Sequence, residues 1–224
     1  MREGMDKLLR YRLLAKYTAI LPGFIHNMNT PLMSISGRIE LIKFKHPDIQ
    51  GVDQILSQLE KINDMISDLN SMLSKDNQSG PEEIAVNKLI DQLDRFFYFN
   101  MTYKHKIELE REIEENLHFR ANPFLLANAL YEIINNAVAA MENGGKIRIK
   151  VWHEEANIRF IIQRNGSQLF EELIAKVNDD TDYELVTENF VDLLIIKKIM
   201  KEMGGLIRVK NSENGVEYHL TLPV

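Results

Sequence analysis

The chain has 224 residues, a formal net charge of −6, no cysteine, 45% hydrophobic and 27% charged residues. That length allows one or two domains, each large enough to bury a core. The acidic balance gives a nucleic-acid partner no support, and the lack of cysteine excludes a disulfide framework and thiolate–zinc sites.

No apolar run approaches the roughly 20 residues that span a bilayer. The N-terminal run MREGMDKLLRYRLL is charged and helical in pattern, unlike a signal peptide. The expectation is a cytoplasmic protein with no membrane segment within this chain. Any sensing part would lie on another chain or outside this sequence.

Residues 1–76 carry no strand pattern. Ile25, Met28, Leu32, Ile35, Ile39 and Ile42 recur at spacings of 3 and 4, and so do Ile55, Leu59, Ile62, Ile66, Leu69 and Leu73. Both series are heptad seams. Between them, His46-Pro47-Asp48-Ile49-Gln50-Gly51 has the residues that end one helix and start another. The prediction is an antiparallel hairpin. A lone hairpin buries one face of each helix, so two would pair into a homodimeric four-helix bundle. The alternative partner for the seams is the second domain of the same chain.

Residues 77–83 are polar, contain Gly80 and Pro81, and are expected to be a linker. The second domain follows over 84–224. Helices are predicted at 87–99, 123–141 and 188–203. Strands are predicted at 105–111, 146–152, 157–163, 206–210 and 216–222. This mixture, mostly antiparallel, gives an α+β chain whose second domain is an α/β sandwich.

His26 stands beside seam residue Ile25, so it points to the flank of the hairpin. A neutral imidazole is nucleophilic near its ordinary pKa of about 6.5 and can carry a phosphoryl group on a ring nitrogen. Pro31, four residues after Asn27, cannot donate to the Asn27 carbonyl and should bend the helix there. On spacing alone, a surface histidine beside an incidental proline accounts for these residues equally well.

The stretch Phe24–Leu32, FIHNMNTPL, resembles the phosphoacceptor box of two-component histidine kinases. His26, Met28, Asn29, Thr30, Pro31 and Leu32 fit that box, and the paired seams resemble the family's dimerisation and phosphotransfer hairpin. The resemblance implies that His26 is the phosphoacceptor and that Thr30 stands where the family orients water for dephosphorylation. One position departs. Asn27 occupies the place of the acid that helps to deprotonate the histidine, and an amide cannot act as a general base. Asn29 and Met33, further along the flank, are expected contacts for a response-regulator receiver domain.

The second domain resembles the family's ATP-binding domain, a fold shared with gyrase and some heat-shock chaperone ATPases. The match is best at Glu132-Ile133-Ile134-Asn135-Asn136-Ala137. Glu132 and Asn136 share a helix face, and the resemblance implies that Asn136 helps hold Mg²⁺ and phosphates, making the pair a vestigial nucleotide site.

The other boxes depart from the family. Its D-x-G-x-G aligns with Arg164-Asn165-Gly166-Ser167-Gln168, and arginine has donors but no acceptor for the adenine amino group. Its G-x-G-L-G-L aligns with Glu188-Asn189-Phe190-Val191-Asp192-Leu193, anchored by Lys197-Lys198-Ile199 and Gly204-Gly205. Glycines that let backbone amides reach a phosphate are replaced there by Glu188, Phe190 and Asp192.

The expected function is therefore a histidine phosphotransferase with no metal and no cofactor. It would shuttle a phosphoryl group between response-regulator aspartates through His26. The alternatives are a divergent sensor kinase region that uses Mg-ATP, and a non-catalytic module that binds a response regulator.

Overall fold

The computed structural model describes residues 25, 27–73, 80–179 and 191–224, with the backbone alone at 68–73 and 191–192. The chain divides into two compact units, Met1–Lys75 and Asp76–Val224.

In the first unit, α1 (27–45) and α2 (Val52–Leu73) are joined by a turn. His46 N donates to Ile42 O at the end of α1, and Ile55 N donates to Gly51 O at the start of α2. Asp53 in the first turn of α2 favours the positive end of that helix dipole and pairs with Lys43 at 2.5 Å. The two seams divide by burial. Ile25, Leu59 and Ile66 are buried, whereas Met28, Ile35, Ile42, Ile55 and Ile62 remain between 37% and 51% exposed.

The second unit runs β1 (Glu82–Ala85), α3 (Val86–Phe97), α4 (Met101–Lys106), β2 (Ile107–Ile113), β3 (His118–Ala121), α5 (Pro123–Ala139), β4 (Gly145–Glu154), β5 (Asn157–Asn165), α6 (Glu171–Asn178), α7 (Val191–Glu202), β6 (Leu206–Ser212) and β7 (Gly215–Pro223). Five strands form one sheet in the order β2-β4-β5-β7-β6, and β1 pairs with β3 separately. β2 and β4 are parallel, and the other neighbours in the large sheet are antiparallel.

Strand alternation gives this sheet two faces. Ile147, Ile149, Phe160, Ile162, Tyr218 and Leu220 are buried on one face. On the other, Lys146, Arg148 and Lys150 of β4 stand beside Glu108, Glu110 and Glu112 of β2, their register partners. The parallel register makes this ion-pair ladder, because it sets acid beside base at every second residue. Lys146 and Arg148 hydrogen-bond the Glu110 carboxylate and hold its pKa below the usual range.

Helix α5 covers the apolar face. Asn122 caps it, its Oδ1 accepting from Leu125 N at 3.1 Å, and Pro123 occupies the first turn, where its missing N–H costs nothing. Leu126, Leu130 and Ile133 are fully buried. Each contributes on the order of 1.5–3 kcal/mol by leaving water. Helix α7 lies against α5, and α6 against β6. Asn178 ties α6 to β6 by donating to Val209 O and accepting from Val209 N, both at 2.8 Å.

Several sequence expectations change here. Glu82 and Glu83, expected in the linker, begin β1. Its partner β3 has no counterpart in the sequence reading, because four residues are too few to show alternation. His105 and Lys106, expected as strand, close helix α4, whose cap Asn100 accepts from Thr102 N and Tyr103 N. Helix α6, like β3, has no counterpart in the sequence reading. Leu173, Ile174 and Val177 give it a buried side too short to stand out as a period. Among the described residues, no helix is long and apolar enough to cross a membrane.

Tyr103 is buried beneath α3 and donates to Asp94 Oδ1 at 2.7 Å. Burial, then the Asp94 carboxylate, raise its phenol pKa well above the ordinary value. The folded state therefore holds the phenolic proton more tightly than the unfolded chain. This contribution is complete below the unfolded pKa of about 10 and is lost as pH rises above it. Urea denaturation across alkaline pH should show a decline in stability that Tyr103→Phe reduces. At neutral pH that variant should lose about 1 kcal/mol, the net worth of one hydrogen bond.

Candidate functional site

The sequence-derived site residues fall in both units. His26 lies outside the described residues. Asn27 and Thr30 are exposed on α1 and, three residues apart, lie on one side of it. Asn29 is half-buried, and Met33, four residues on, is 71% exposed.

In the second unit, Glu132 and Asn136 are half-buried on α5, one turn apart. Asn136 Nδ2 donates to Glu132 O at 3.1 Å, so the amide is held along its own helix with its carbonyl oxygen left to accept a donor or a cation. Glu188 and Phe190 lie outside the described residues, and only the backbone of Asp192 is described.

Arg164 is the informative position. It ends the apolar face of β5, two residues after Ile162, and is 2% exposed. Among the described residues it is the one charged side chain in the core. Its Nη1 donates to Ser167 O at 2.6 Å and Asn165 O at 3.3 Å, and its Nε has no partner. Burial pushes the neighbouring Tyr218 phenol upward, and the Arg164 guanidinium partly offsets this. The cation is thus balanced by carbonyl and hydroxyl dipoles. A charge in that setting is costly to bury.

The backbone around Arg164 is tight. Gly166 has φ +98°, a left-handed conformation that suits glycine and turns the chain so that Ser167 O faces the guanidinium. Gly215, which opens β7 just after the β6–β7 turn, passes so close that a Cβ there would lie 1.9 Å from Arg164 O. Beside this turn is a cleft of about 480 Å³ lined by Lys146, Arg148, Gln163, Arg164, Asn165, Gly166 and Asn214. Neither the cleft nor the Tyr218 contact has a signal in the sequence, since each depends on strands brought together by pairing.

Residues 121–224 match the family model described as "Histidine kinase-, DNA gyrase B-, and HSP90-like ATPase". The chain is 23% identical over its whole length to the signal transduction histidine-protein kinase AtoS of Escherichia coli strain K12, covering 37% of that protein. It is 21% identical to sporulation kinase A of Bacillus subtilis strain 168, with 99% of this chain and 37% of that protein covered. The catalytic domain of the histidine kinase ThkA, in a nucleotide-free form, superposes with a TM-score of 0.57 at 26% identity, over 65% of this chain and 96% of that one. The second unit is therefore an α/β sandwich of the histidine-kinase ATPase type, and the chain as a whole is similar to proteins named as histidine kinases. It spans less than half the length of these two curated relatives.

The domain type implies Mg-ATP, and the residues present fit it unevenly. Glu132 and Asn136 offer oxygen acceptors of the kind that would hold the metal and phosphate end. The base end does not fit. Where the family resemblance expects a carboxylate to accept the adenine amino proton, a buried guanidinium offers only donors.

Replacing a buried charge by an apolar side chain of similar length is often neutral or stabilising. Arg164→Met should leave urea-denaturation stability unchanged or raise it by about 1–2 kcal/mol. A larger loss would mean that the bonds to Ser167 O and Asn165 O hold the turn.

Proposed function

We propose that this chain is the transmitter region of a two-component histidine kinase homologue, in which His26 carries a phosphoryl group. The observation that carries this reading is the alignment of the whole chain, hairpin and sandwich in the same order, with proteins named as histidine kinases. The seams support a homodimer. Within the hairpin, Leu59 and Ile66 are covered while Ile55, Ile62, Ile35 and Ile42 stay open. A second hairpin would cover that apolar stripe and complete a four-helix bundle.

The chemistry at His26 is phosphoryl exchange with the receiver domain of a response regulator. A neutral ring nitrogen attacks phosphorus, an N–P bond forms, the bond from phosphorus to the leaving oxygen breaks, and the ring releases a proton to water. When the donor is a phosphorylated receiver, the leaving group is its aspartate carboxylate. Passing the group on reverses these steps at another aspartate. Asn29 and the exposed Met33 are the proposed receiver contacts, and Thr30 the residue that orients water for dephosphorylation.

The relatives favour ATP as the donor, which makes the chain a divergent kinase region with Glu132 and Asn136 in the nucleotide site. A second reading rests on Arg164. With a buried guanidinium at the base end, and Asn27 in place of an acid beside His26, phosphoryl groups arrive from a receiver and the chain is a histidine phosphotransferase.

One experiment separates the two. The chain is incubated with labelled Mg-ATP and, separately, with a labelled phospho-receiver. Label taken from ATP and lost in His26→Ala establishes the kinase. Label taken only from the receiver, and lost in the same variant, establishes the phosphotransferase. No transfer from either source, or transfer that persists in His26→Ala, overturns both. Independently, Ile35→Glu combined with Ile62→Glu should convert the dimer to a monomer by light scattering with helix content retained.

A further inference from the structure

The segment 95–106, RFFYFNMTYKHK, plays no part in the chemistry above. It holds five aromatic rings, Met101, Arg95, Lys104, Lys106 and His105, and no carboxylate, in a chain whose net charge is −6. It forms the corner between α3 and α4. Phe97 and Tyr103 turn into the core, while Tyr98, Phe99 and Met101 are 50%, 57% and 67% exposed. Three adjacent large apolar side chains left open at one corner differ from singly scattered ones and mark a contact surface.

The corner is rigid without any partner. Phe99 N donates to Phe96 O at 3.2 Å, Asn100 N donates to Phe97 O at 2.8 Å, and the Asn100 side chain caps α4. Phe99 packs edge-on against Phe96, with centroids 6.2 Å apart, and Tyr98 in the same manner against Tyr103. Binding through this corner would cost little ordering entropy. On α4, Lys104 and His105 follow Met101 by three and four residues and share its outward face. The nearby carboxylates Asp91 and Asp94 are engaged by Arg111.

We infer that this corner is a peripheral membrane contact, with Tyr98, Phe99 and Met101 entering the interface of an anionic lipid bilayer and Lys104 against its headgroups. Charge selects this occupant. A chain of net charge −6 is repelled by an anionic surface except where it presents cations without carboxylates, and segment 95–106 does so beside its exposed apolar side chains. Tyrosine and phenylalanine suit the interface because their rings leave water while the tyrosine hydroxyl stays hydrated. The corner is a turn with its apolar side chains exposed, which suits entry into a soft surface.

The test is co-sedimentation of the full chain with vesicles of phosphatidylcholine alone or mixed with phosphatidylglycerol. Binding is expected to the mixed vesicles only, and to weaken with added salt. Lys104→Glu, which leaves the aromatic corner intact, should lower the partition coefficient by about tenfold or more. Phe99→Ser with Met101→Ser should abolish binding while circular dichroism stays unchanged. The inference is overturned if mixed vesicles do not bind the chain, if binding ignores lipid charge, or if Lys104→Glu binds as wild type. It is also overturned if light scattering shows the aromatic substitutions removing self-association in place of vesicle binding.

Discussion

Burial of one face of the five-stranded sheet beneath α5 is the constraint on which the second unit depends. Strand alternation sends Ile147, Ile149, Phe160 and Ile162 to that face, and α5 returns Leu126, Leu130 and Ile133 against it. The opposite face is left to water and is finished by charge, with Glu108, Glu110 and Glu112 beside Lys146, Arg148 and Lys150. Surface pairs of this kind contribute little individually. Their value lies in register, because a one-residue slip of β2 against β4 would bring apolar side chains to water and set charges against the core.

Arg164 is the exception to that constraint. It sits on the apolar side at the end of β5, so its charge enters the one layer of the domain built to exclude charge. The turn at Gly166 supplies the Ser167 and Asn165 carbonyls to it, and among the described residues no carboxylate pairs with it. A carboxylate at this position would face the same cost of burial, offset when a ligand donates a proton to it. A guanidinium reverses the hydrogen-bonding sense of the site. The domain thus has the sandwich of the histidine-kinase ATPase type with a donor-only side chain buried at the end of β5.

The hairpin obeys a different economy. Its helices bury Ile25, Leu59 and Ile66 within one chain and leave Met28, Ile35, Ile42, Ile55 and Ile62 open, so an apolar stripe is left for a second surface to cover.

Much of this protein was legible in the sequence, where the signal is local and repeated. The heptads of α1 and α2, the long apolar run of α5 and the alternation of β4, β5 and β7 are fixed by side-chain periods of 3.5 and 2 that survive any tertiary arrangement. The family resemblances at His26 and Glu132–Asn136, and the departure at Arg164, rest on residue identities alone and are proposals that the fold leaves untested. Short elements were not legible. β1 and β3 exist because they pair with each other, α4 because Asn100 caps it, and α6 because β6 receives its small apolar side. The parallel union of β2 with β4, the burial of Arg164 under Ser167 O, and the exposure of Tyr98, Phe99 and Met101 were decided by tertiary structure alone. Each depends on which distant segments lie in contact, and a linear pattern of apolar and polar residues carries no information about that.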